Sequence, residues 1–219
     1  MKMMRLPGVW TTNATALLLG FGMYSAFILI PQFVQTPKST GYGFGASVSQ
    51  AGLFLVPTTI MMLIFSPLGG RLSGVVGSKV PLVAGSFVTA MAFVFLALGH
   101  QRWEVFVASA LLGIGVGFAF AALANLIVEA VPAGQTGVAT GMNTIVRTIG
   151  GAIGAEVAAS ILASSVLASG SPSRHGYTIT FAICAAVVGA GVIASLVVPG
   201  RRQPTPHTVA VAEPVPASD

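Results

Sequence analysis

The chain is organised as six long apolar stretches separated by short polar connectors. Each stretch holds about 20 or more mostly apolar residues, the length that a helix needs to cross the hydrocarbon core of a bilayer. None shows the alternation over about ten residues that is typical of a membrane-spanning strand. The pattern therefore predicts an all-α integral membrane protein, because helices satisfy their own backbone hydrogen bonds inside lipid. The predicted spans are Ala14–Phe33, Ala46–Phe65, Val80–Leu98, Val105–Val128, Gly137–Leu167 and Tyr177–Val198.

Turn-forming residues occupy the connectors, and the chain changes character after the last span. Beyond Val198 it becomes polar and rich in proline, a composition typical of disorder. We therefore divide the sequence into an N-terminal segment (1–13), a six-helix transmembrane domain (14–198) and a disordered tail (199–219). The predicted connectors are Gln35–Gly45, Gly69–Lys79, His100–Glu104, Pro132–Thr136 and Gly170–Gly176.

The first span has Lys2 and Arg5 ahead of its apolar core, as a secretory signal peptide would. Its core is longer than the apolar region of a typical signal peptide, and no small-x-small cleavage site ends it. We interpret it as a retained span.

Composition supports a membrane protein and removes most other classes. Charged residues make up 7% of the chain and hydrophobic residues 54%, whereas soluble domains average about 25% charged residues. Cys184 is the single cysteine and lies in an apolar run, so it forms no internal disulfide, and no metal-ligand spacing of Cys or His occurs. Without a nucleophile–base arrangement or a cofactor loop, we expect neither an enzyme nor a cofactor.

The ten lysines and arginines report on topology rather than on nucleic acid. They are spread singly or in pairs, and no basic stripe follows a phosphate backbone. Cytoplasmic connectors carry an excess of Lys and Arg, so the side with six such residues is predicted to be cytoplasmic, together with both termini. That side holds Lys2, Arg5, Arg71, Lys79, Arg201 and Arg202, and the other holds Lys38, Arg102 and Arg174.

The second connector, "GGRLSGVVGSK" over residues 69–79, is rich in glycine. A phosphate-binding loop needs a lysine directly after its last glycine, followed by Ser or Thr. Here Ser78 separates Gly77 from Lys79, and Val80 follows. We therefore interpret the segment as a tight connector that Arg71 and Lys79 hold on the cytoplasmic side.

Glycines at four-residue spacing place small residues on one face of a helix, where they allow close packing in lipid. Two interpretations stay open for them: tight packing of a static bundle, and helices that move past one another. Pro57 lies within the second span and predicts a kink there. The three pairs are Gly113–Gly117, Gly137–Gly141 and Gly150–Gly154.

Glu156 is the one acidic residue well inside a predicted span. An ionisable group within the membrane is costly and is by default a functional hypothesis. Burial favours the protonated carboxyl, which suits a group that takes up and releases a proton. The alternative is a glutamate that faces water in a cavity or packs beside a second domain.

Arg147 is the one cation inside a span and precedes Glu156 by nine residues. At about 100° per residue the two face opposite sides of one helix, so they are not expected to pair. Arg147 either extends to the cytoplasmic end or serves as a structural anchor, or it lines a substrate path. Asn125, Asn143 and Gln50 are further candidates for a cavity, with hydrogen bonding between helices as the alternative.

The segment "PLGGRLSGVVGSK" resembles the loop motif of the major facilitator superfamily, in which Gly70, Arg71, Gly77 and Lys79 fall within the motif. Gly74 and Val75 replace the Asp and Arg at its centre, which argues against a charge-relay role. The runs "FILIPQFVQ", "QAGLFLVPTTI", "GIGVGFAFAALANLIVEAVP" and "GVATGMNTIVRTIGGAIG" extend the likeness over residues 8 to 199. Together they resemble the last six helices of fourteen-span drug:proton antiporters.

This resemblance implies one half of a transporter in the plasma (inner) membrane. It implies proton-coupled efflux of small hydrophobic or cationic drugs, with Glu156 as the proton-coupling candidate. The partners would be the lipid bilayer, a small-molecule substrate, protons, and either an amino-terminal half or a second copy of the chain. The alternative is a non-transporting membrane subunit or a truncated fragment of a longer transporter.

Overall fold

A computed structural model describes residues 6–99, 101–167 and 170–199. Within these ranges it holds six helices that are long and apolar enough to cross a membrane, which confirms the all-α prediction. Two short 3₁₀ turns, Lys38–Thr40 and Ala133–Gln135, precede α2 and α5. The helices are α1 (Pro7–Gln35), α2 (Val48–Val76), α3 (Lys79–Leu98), α4 (Arg102–Ala130), α5 (Thr136–Ser164) and α6 (Arg174–Val197).

Local sequence explains where several helices begin. Pro7 opens α1, a position where the missing N–H of proline has no cost. The Ser47 hydroxyl accepts from the Gln50 backbone N–H at the start of α2, and the Ser173 hydroxyl accepts from Gly176 N–H, over 3.0 Å, at the start of α6. These side chains satisfy backbone donors that have no partner within the first helical turn.

Two predicted boundaries, the end of α2 and the start of α1, differ from the structure by seven residues or more, and most of the others by one to three residues. The α2 helix continues to Val76 instead of ending near Phe65, so most of the glycine-rich connector is helical. Gly69 allows this because it packs closely against Phe118 and Ala121 of α4. Helix α1 begins at Pro7 rather than Ala14, and α5 ends at Ser164 rather than Leu167.

Part of the N-terminal segment and nearly all of the tail lie outside the described residues. This applies to residues 1–5 and 200–219, and therefore to four of the six cations behind the predicted orientation, Lys2, Arg5, Arg201 and Arg202. The division into segment, domain and tail stays a prediction, as does the cytoplasmic position of the termini.

The helices pack as two related groups of three. Helix α2 packs along α4 and α5 packs along α1, while α3 contacts α4 and α6 contacts α1. Exchanging α1–α3 with α4–α6 leaves this set of contacts the same, as expected for an internal structural repeat in a transporter. Helices α1 and α4 therefore lie at the centre, with α2 and α5 on their flanks.

Successive helices run in opposite directions, which gives the bundle two distinct ends. At the end that we call the terminal end, Ser78 contacts Glu129 and Lys79 contacts Leu196. At the opposite end, which we call the far end, aromatic rings join α1, the α1–α2 connector and α6. Their centre is Phe33, whose ring centroid lies 5.2 Å from that of Tyr177 and 5.6 Å from that of Phe44.

Burial is unequal among the helices. Sixteen of the 29 residues in α1 are buried, compared with five of 29 in α2 and seven of 29 in α5. Large apolar side chains such as Leu63 and Ile149 are exposed on these two helices. We call the exposed sides of α2 and α5 the uncovered faces. Because they are mainly apolar, lipid or another protein surface suits them better than water.

Candidate functional site

Glu156 lies on the uncovered face of α5. Its side chain is exposed, on the side of the helix opposite the buried stripe that contains Gly150 and Gly154. At 1.5 Å per residue it stands about 30 Å from Thr136 and about 12 Å from Ser164 along the helix. The six helices therefore place this carboxyl within the apolar span without burying it.

Arg147 turns toward the centre of the bundle. Its guanidinium carbon lies 4.3 Å from the centroid of the Phe120 ring in α4. Both residues are about 15 Å from the terminal ends of their helices. The side chain therefore points toward α4 and does not extend along α5 to its cytoplasmic end, which was the other position considered from the sequence.

Gly20 in α1 allows this crossing. A Cβ at position 20 would collide with the backbone carbonyl of Arg147 and lie 3.0 Å from its Cγ. Tyr24, one turn further along α1, lies against Gly151 of α5. The small residues at positions 20 and 151 therefore bring α1 and α5 close enough for Arg147 to reach Phe120.

The charge of Arg147 is incompletely compensated. Its Nε–H is buried and has no hydrogen-bond partner among the described residues. A desolvated cation–π contact contributes about 2 kcal/mol, whereas an arginine at the centre of a bilayer costs about 3 kcal/mol. The Phe120 ring therefore offsets only part of the penalty.

Arg147 and Glu156 do not form a pair, as their spacing predicts. Arg147 faces α4 and is half-buried, whereas Glu156 is exposed. Their Cα atoms are separated by about 14 Å along the helix axis. The two charged groups of α5 therefore lie on different sides of the helix, one toward α4 and one on the uncovered face.

Asn143 joins two helices and does not line an open surface. Its side-chain amide donates to the Oδ1 atom of Asn13 in α1 over 2.8 Å. Asn143 is 4% exposed and Asn13 is 5% exposed. The structure therefore supports the alternative of an interhelical hydrogen bond for Asn143.

Gln50 also has a structural role that the sequence prediction missed. It is the third residue of α2, and its Oε1 accepts from the Ser47 backbone N–H over 3.1 Å. The Ser47 hydroxyl in turn accepts from the Gln50 backbone N–H, which completes a capping box. The Gln50 side chain is therefore used at the helix start, and its role as a cavity residue stays a prediction.

Asn125 lies near the terminal end, away from Arg147. It borders a surface depression of about 240 Å³ together with Gly70, Ser73 and Glu129. This depression connects Asn125 with the resembled loop motif, so those two predicted features share one region. Arg147, Asn143 and Gln50 lie elsewhere, and the candidate polar residues do not converge on a single cavity.

The loop motif connects three helix ends. Gly77 has a φ of +87°, which glycine adopts readily and which ends α2. The next residue, Ser78, donates to the Glu129 carboxylate of α4 over 2.6 Å, and Lys79 donates to the Leu196 carbonyl of α6 over 2.6 Å. Arg71 is exposed. The short connector thus ties α3 to the ends of α4 and α6.

The glycine pairs separate into two groups. A Cβ at Gly113 would collide with Thr58 of α2, and one at Gly150 would collide with Leu17 of α1. Gly154 approaches α1 about as closely as Gly150 does, whereas Gly117 makes a looser contact with α2, where the nearest atom would lie 3.1 Å from a Cβ. Gly137 and Gly141, in contrast, have no atom within 4 Å of such a Cβ. Two pairs therefore serve packing within the bundle, whereas the third lies on the uncovered face of α5.

Sequence reasoning missed Asn13 and Phe120. Asn13 falls before the predicted start of the first span, so it was placed in the N-terminal segment. The polar run Thr11–Thr12–Asn13 inside an otherwise apolar region is the available signal for a buried polar contact. Phe120 lies in an apolar run, and the sequence around it carries no sign of a cation above its ring.

The described residues form a narrow cleft within the bundle and two larger depressions at its terminal end. A cleft between α1, α2 and α4, lined by Met23, Phe27 and Met62, has a volume of about 10 Å³. The larger depressions, of about 250 Å³ and 240 Å³, lie at the terminal end. Within the described ranges no three potential ligands are grouped as a metal site.

Comparisons with known proteins agree with the helical arrangement. The family model described as Major Facilitator Superfamily matches residues 12–218. A crystal structure of the peptide transporter POT (E310Q mutant) in complex with alafosfalin superposes with a TM-score of 0.71 at 16% identity, covering 86% of this chain and 37% of that one. At this identity the likeness concerns the fold alone.

Curated relatives add sequence similarity over part of the chain. The multidrug resistance protein Stp of Mycobacterium tuberculosis is 32% identical over 129 residues, which are 58% of this chain and 23% of Stp. The multidrug transporter protein MdtP of Bacillus subtilis is 28% identical over 131 residues, 58% of this chain and 23% of MdtP. The methyl viologen resistance protein SmvA of Salmonella typhimurium is 28% identical over 134 residues, which are 60% of this chain and 25% of SmvA.

These matches cover about a quarter of each curated relative. The family model, in contrast, spans nearly all of the chain, and the fold match and the repeated helix packing point the same way. The chain belongs to the Major Facilitator Superfamily, whose members are membrane transporters and not enzymes.

Proposed function

We propose that this chain is one six-helix half of a proton-coupled transporter that exports small hydrophobic or cationic compounds. The observation that carries the proposal is the exposed Glu156 on the uncovered face of α5, within an apolar span. A carboxyl in this position contacts the lipid, protein surface or solvent that lies against the uncovered face of α5. We assign the proton-coupling role to this carboxyl.

The uncovered faces support a second domain as the partner. Helices α2 and α5 flank α1 and α4, and both expose large apolar side chains. In transporters with two related halves, the substrate path lies between the halves, and one half rocks against the other. A path of this kind would explain why the six helices contain only a narrow cleft. The partner would be an amino-terminal half or a second copy, in the plasma membrane with both termini cytoplasmic.

The names of the relatives support the compound class. Two are named for multidrug resistance or transport and one for methyl viologen resistance. Helix α5 carries two charged residues, and Arg147 points toward α4. Glu156 is therefore the charged side chain on the uncovered face of α5. A carboxylate there suits both a proton and a cationic compound.

A non-transporting membrane subunit is the second candidate. It is favoured by the loop motif, where Gly74 and Val75 stand in place of the charged centre and both are exposed. Such a subunit would keep the packed bundle and would have no coupled cycle.

Transport in proteoliposomes tests the proposal. The protein is isolated from its own membranes with any partner that stays bound, and ethidium movement is followed after a pH step. We expect the wild-type protein to move ethidium against its gradient and Glu156→Gln to abolish this driven movement, because the amide no longer exchanges a proton. Glu104→Gln is the matched control, since glutamine also serves at this capping-box position.

Two results would contradict the proposal. If Glu156→Gln drives ethidium at the wild-type rate, the proton-coupling role is wrong. If the folded wild-type protein moves no ethidium under any gradient, the non-transporting candidate replaces the transporter.

A further inference from the structure

Three helices meet around a depression at the terminal end, which we call the terminal depression. Its volume is about 250 Å³. Leu6 and Gly8 line it at the start of α1, Leu126 and Glu129 line it at the end of α4, and Pro199 lines it just after α6. The first and last described residues, Leu6 and Pro199, therefore border the same surface.

Glu129 gives the terminal depression a negative charge. It lies in the last turn of α4, where unpaired carbonyl groups already make the helix end negative, and no basic residue occupies that turn. The Ser78 hydroxyl donates to its Oε1 atom over 2.6 Å, and a carboxylate accepts more than one such bond. A cation in contact with Glu129 would therefore stabilise both the carboxylate and the end of α4.

The tail carries two cations close to this depression. Residues 200–219 lie outside the described residues, and Arg201 and Arg202 follow Pro199 by two and three residues. The Cα atoms of both arginines therefore lie within about 11 Å of the Pro199 Cα atom. Lys79 donates to the Leu196 carbonyl and so holds the end of α6 beside the α2–α3 connector. The tail thus begins within reach of Glu129.

We propose that the terminal depression is the docking site of the chain's own tail, with the Arg201–Arg202 pair bound to Glu129. Arginine suits both parts of this surface, because its aliphatic stem covers apolar groups such as Leu6 and its guanidinium donates two parallel bonds to a carboxylate. The docked tail joins the end of α6 to the end of α4 and covers the start of α1. This interaction goes beyond the proposed function and does not depend on it.

Thiol labelling of the full chain in lipid nanodiscs tests the inference. Cys184 is the single cysteine and is 1% exposed, so an introduced cysteine is the reactive thiol. Leu6→Cys places that thiol on the wall of the terminal depression, where an uncharged maleimide measures its accessibility. We expect Arg201→Gln/Arg202→Gln to raise the labelling rate about threefold, the size of effect that a solvent-exposed ion pair supports.

The direction of this change separates docking from a simple charge effect. Removing two nearby cations raises the pKa of the introduced thiol and by itself would slow its reaction. A faster rate therefore reports that the terminal depression has been uncovered. Continued protection of Cys184 from the maleimide shows that the variant is folded.

Two matched controls keep the result specific to the depression. Val75→Cys places the thiol at an exposed position near the end of α2, and its labelling rate should not change with the arginine substitutions. Arg71→Gln removes an exposed cation of the loop motif and should leave the Leu6→Cys rate unchanged.

A double-variant cycle assigns the contact to Glu129. Glu129→Gln keeps an acceptor for the Ser78 hydroxyl and removes the negative charge. In this background, Arg201→Gln/Arg202→Gln should change the Leu6→Cys rate no further, because the two sets of substitutions remove the same interaction.

The inference is overturned if the arginine substitutions leave the Leu6→Cys rate unchanged, or if they raise it equally in the Glu129→Gln background. A faster rate in Arg5→Gln, with no change in the tail variant, would assign the Glu129 contact to the N-terminal segment and likewise remove the inference. The measurement needs no transport, so its outcome is independent of the efflux test.

Discussion

The side-chain amide of Asn143 in α5 donates to the side-chain oxygen of Asn13 in α1 over 2.8 Å, and both residues are almost fully buried. This bond lies in the α1–α5 contact, where Gly150 and Gly154 let the two backbones approach closely. A polar pair in such a contact favours one register of the two helices, because any shift leaves the Asn143 donor and the Asn13 acceptor without each other.

Removing one member of this pair should destabilise the bundle. Asn143→Leu leaves the Asn13 amide buried without its partner, and we expect the free energy of unfolding to fall by about 1 kcal/mol. Reversible unfolding in mixed micelles, followed by circular dichroism, measures the change. The double variant Asn13→Leu/Asn143→Leu should recover most of the loss, since neither polar group remains.

The exposed Thr144, which bonds to its own helix through the Thr140 carbonyl, offers a control. Thr144→Val should change stability by less than Asn143→Leu does. Equal stability of Asn143→Leu and the wild-type protein would show that the interhelical bond has no net effect.

The glycine pairs of α5 should respond differently to the same added methyl group. A methyl at Gly150 meets the Leu17 carbonyl, whereas one at Gly141 meets open space. We expect Gly150→Ala to lower the free energy of unfolding by about 1–3 kcal/mol through overpacking. Gly141→Ala should be neutral or raise it by up to about 1 kcal/mol, because alanine favours the helix.

Thermal unfolding of both alanine variants in the same detergent provides the comparison. Equal loss of stability would contradict the distinction between a packed pair and an open pair. If Gly141→Ala destabilises only the protein isolated with a bound partner, position 141 lies in that partner's interface.

Gln50 should matter for stability and not for transport. Gln50→Ala removes the side-chain acceptor for Ser47 N–H and leaves one half of the capping box. We expect a decrease of about 0.5–1 kcal/mol in the free energy of unfolding. The neighbouring Ser49→Ala, at an exposed position in the same turn, is the control. An unchanged stability combined with lost ethidium transport would support Gln50 as a substrate-path residue.

Local sequence predicts the helices of this protein better than the contacts between them. Each apolar stretch is long enough to identify a span, and the spacing of Arg147 and Glu156 correctly places them on opposite sides of α5. The boundary of α2 could not be predicted in the same way. Gly69 and Gly70 suggest a connector by propensity, and only the packing of Gly69 on Phe118 explains why the helix continues to Val76.

The sequence by itself determined the class of protein, the number of spans and the candidate charged residues, because bilayer thickness and the cost of charges in lipid act on each segment independently. The tertiary structure alone decided which face each candidate occupies. Asn143 is buried against Asn13, Arg147 stacks on Phe120, and Glu156 remains on an uncovered face. These outcomes depend on which helices touch and in what register, and that information lies in pairs of residues far apart in the chain.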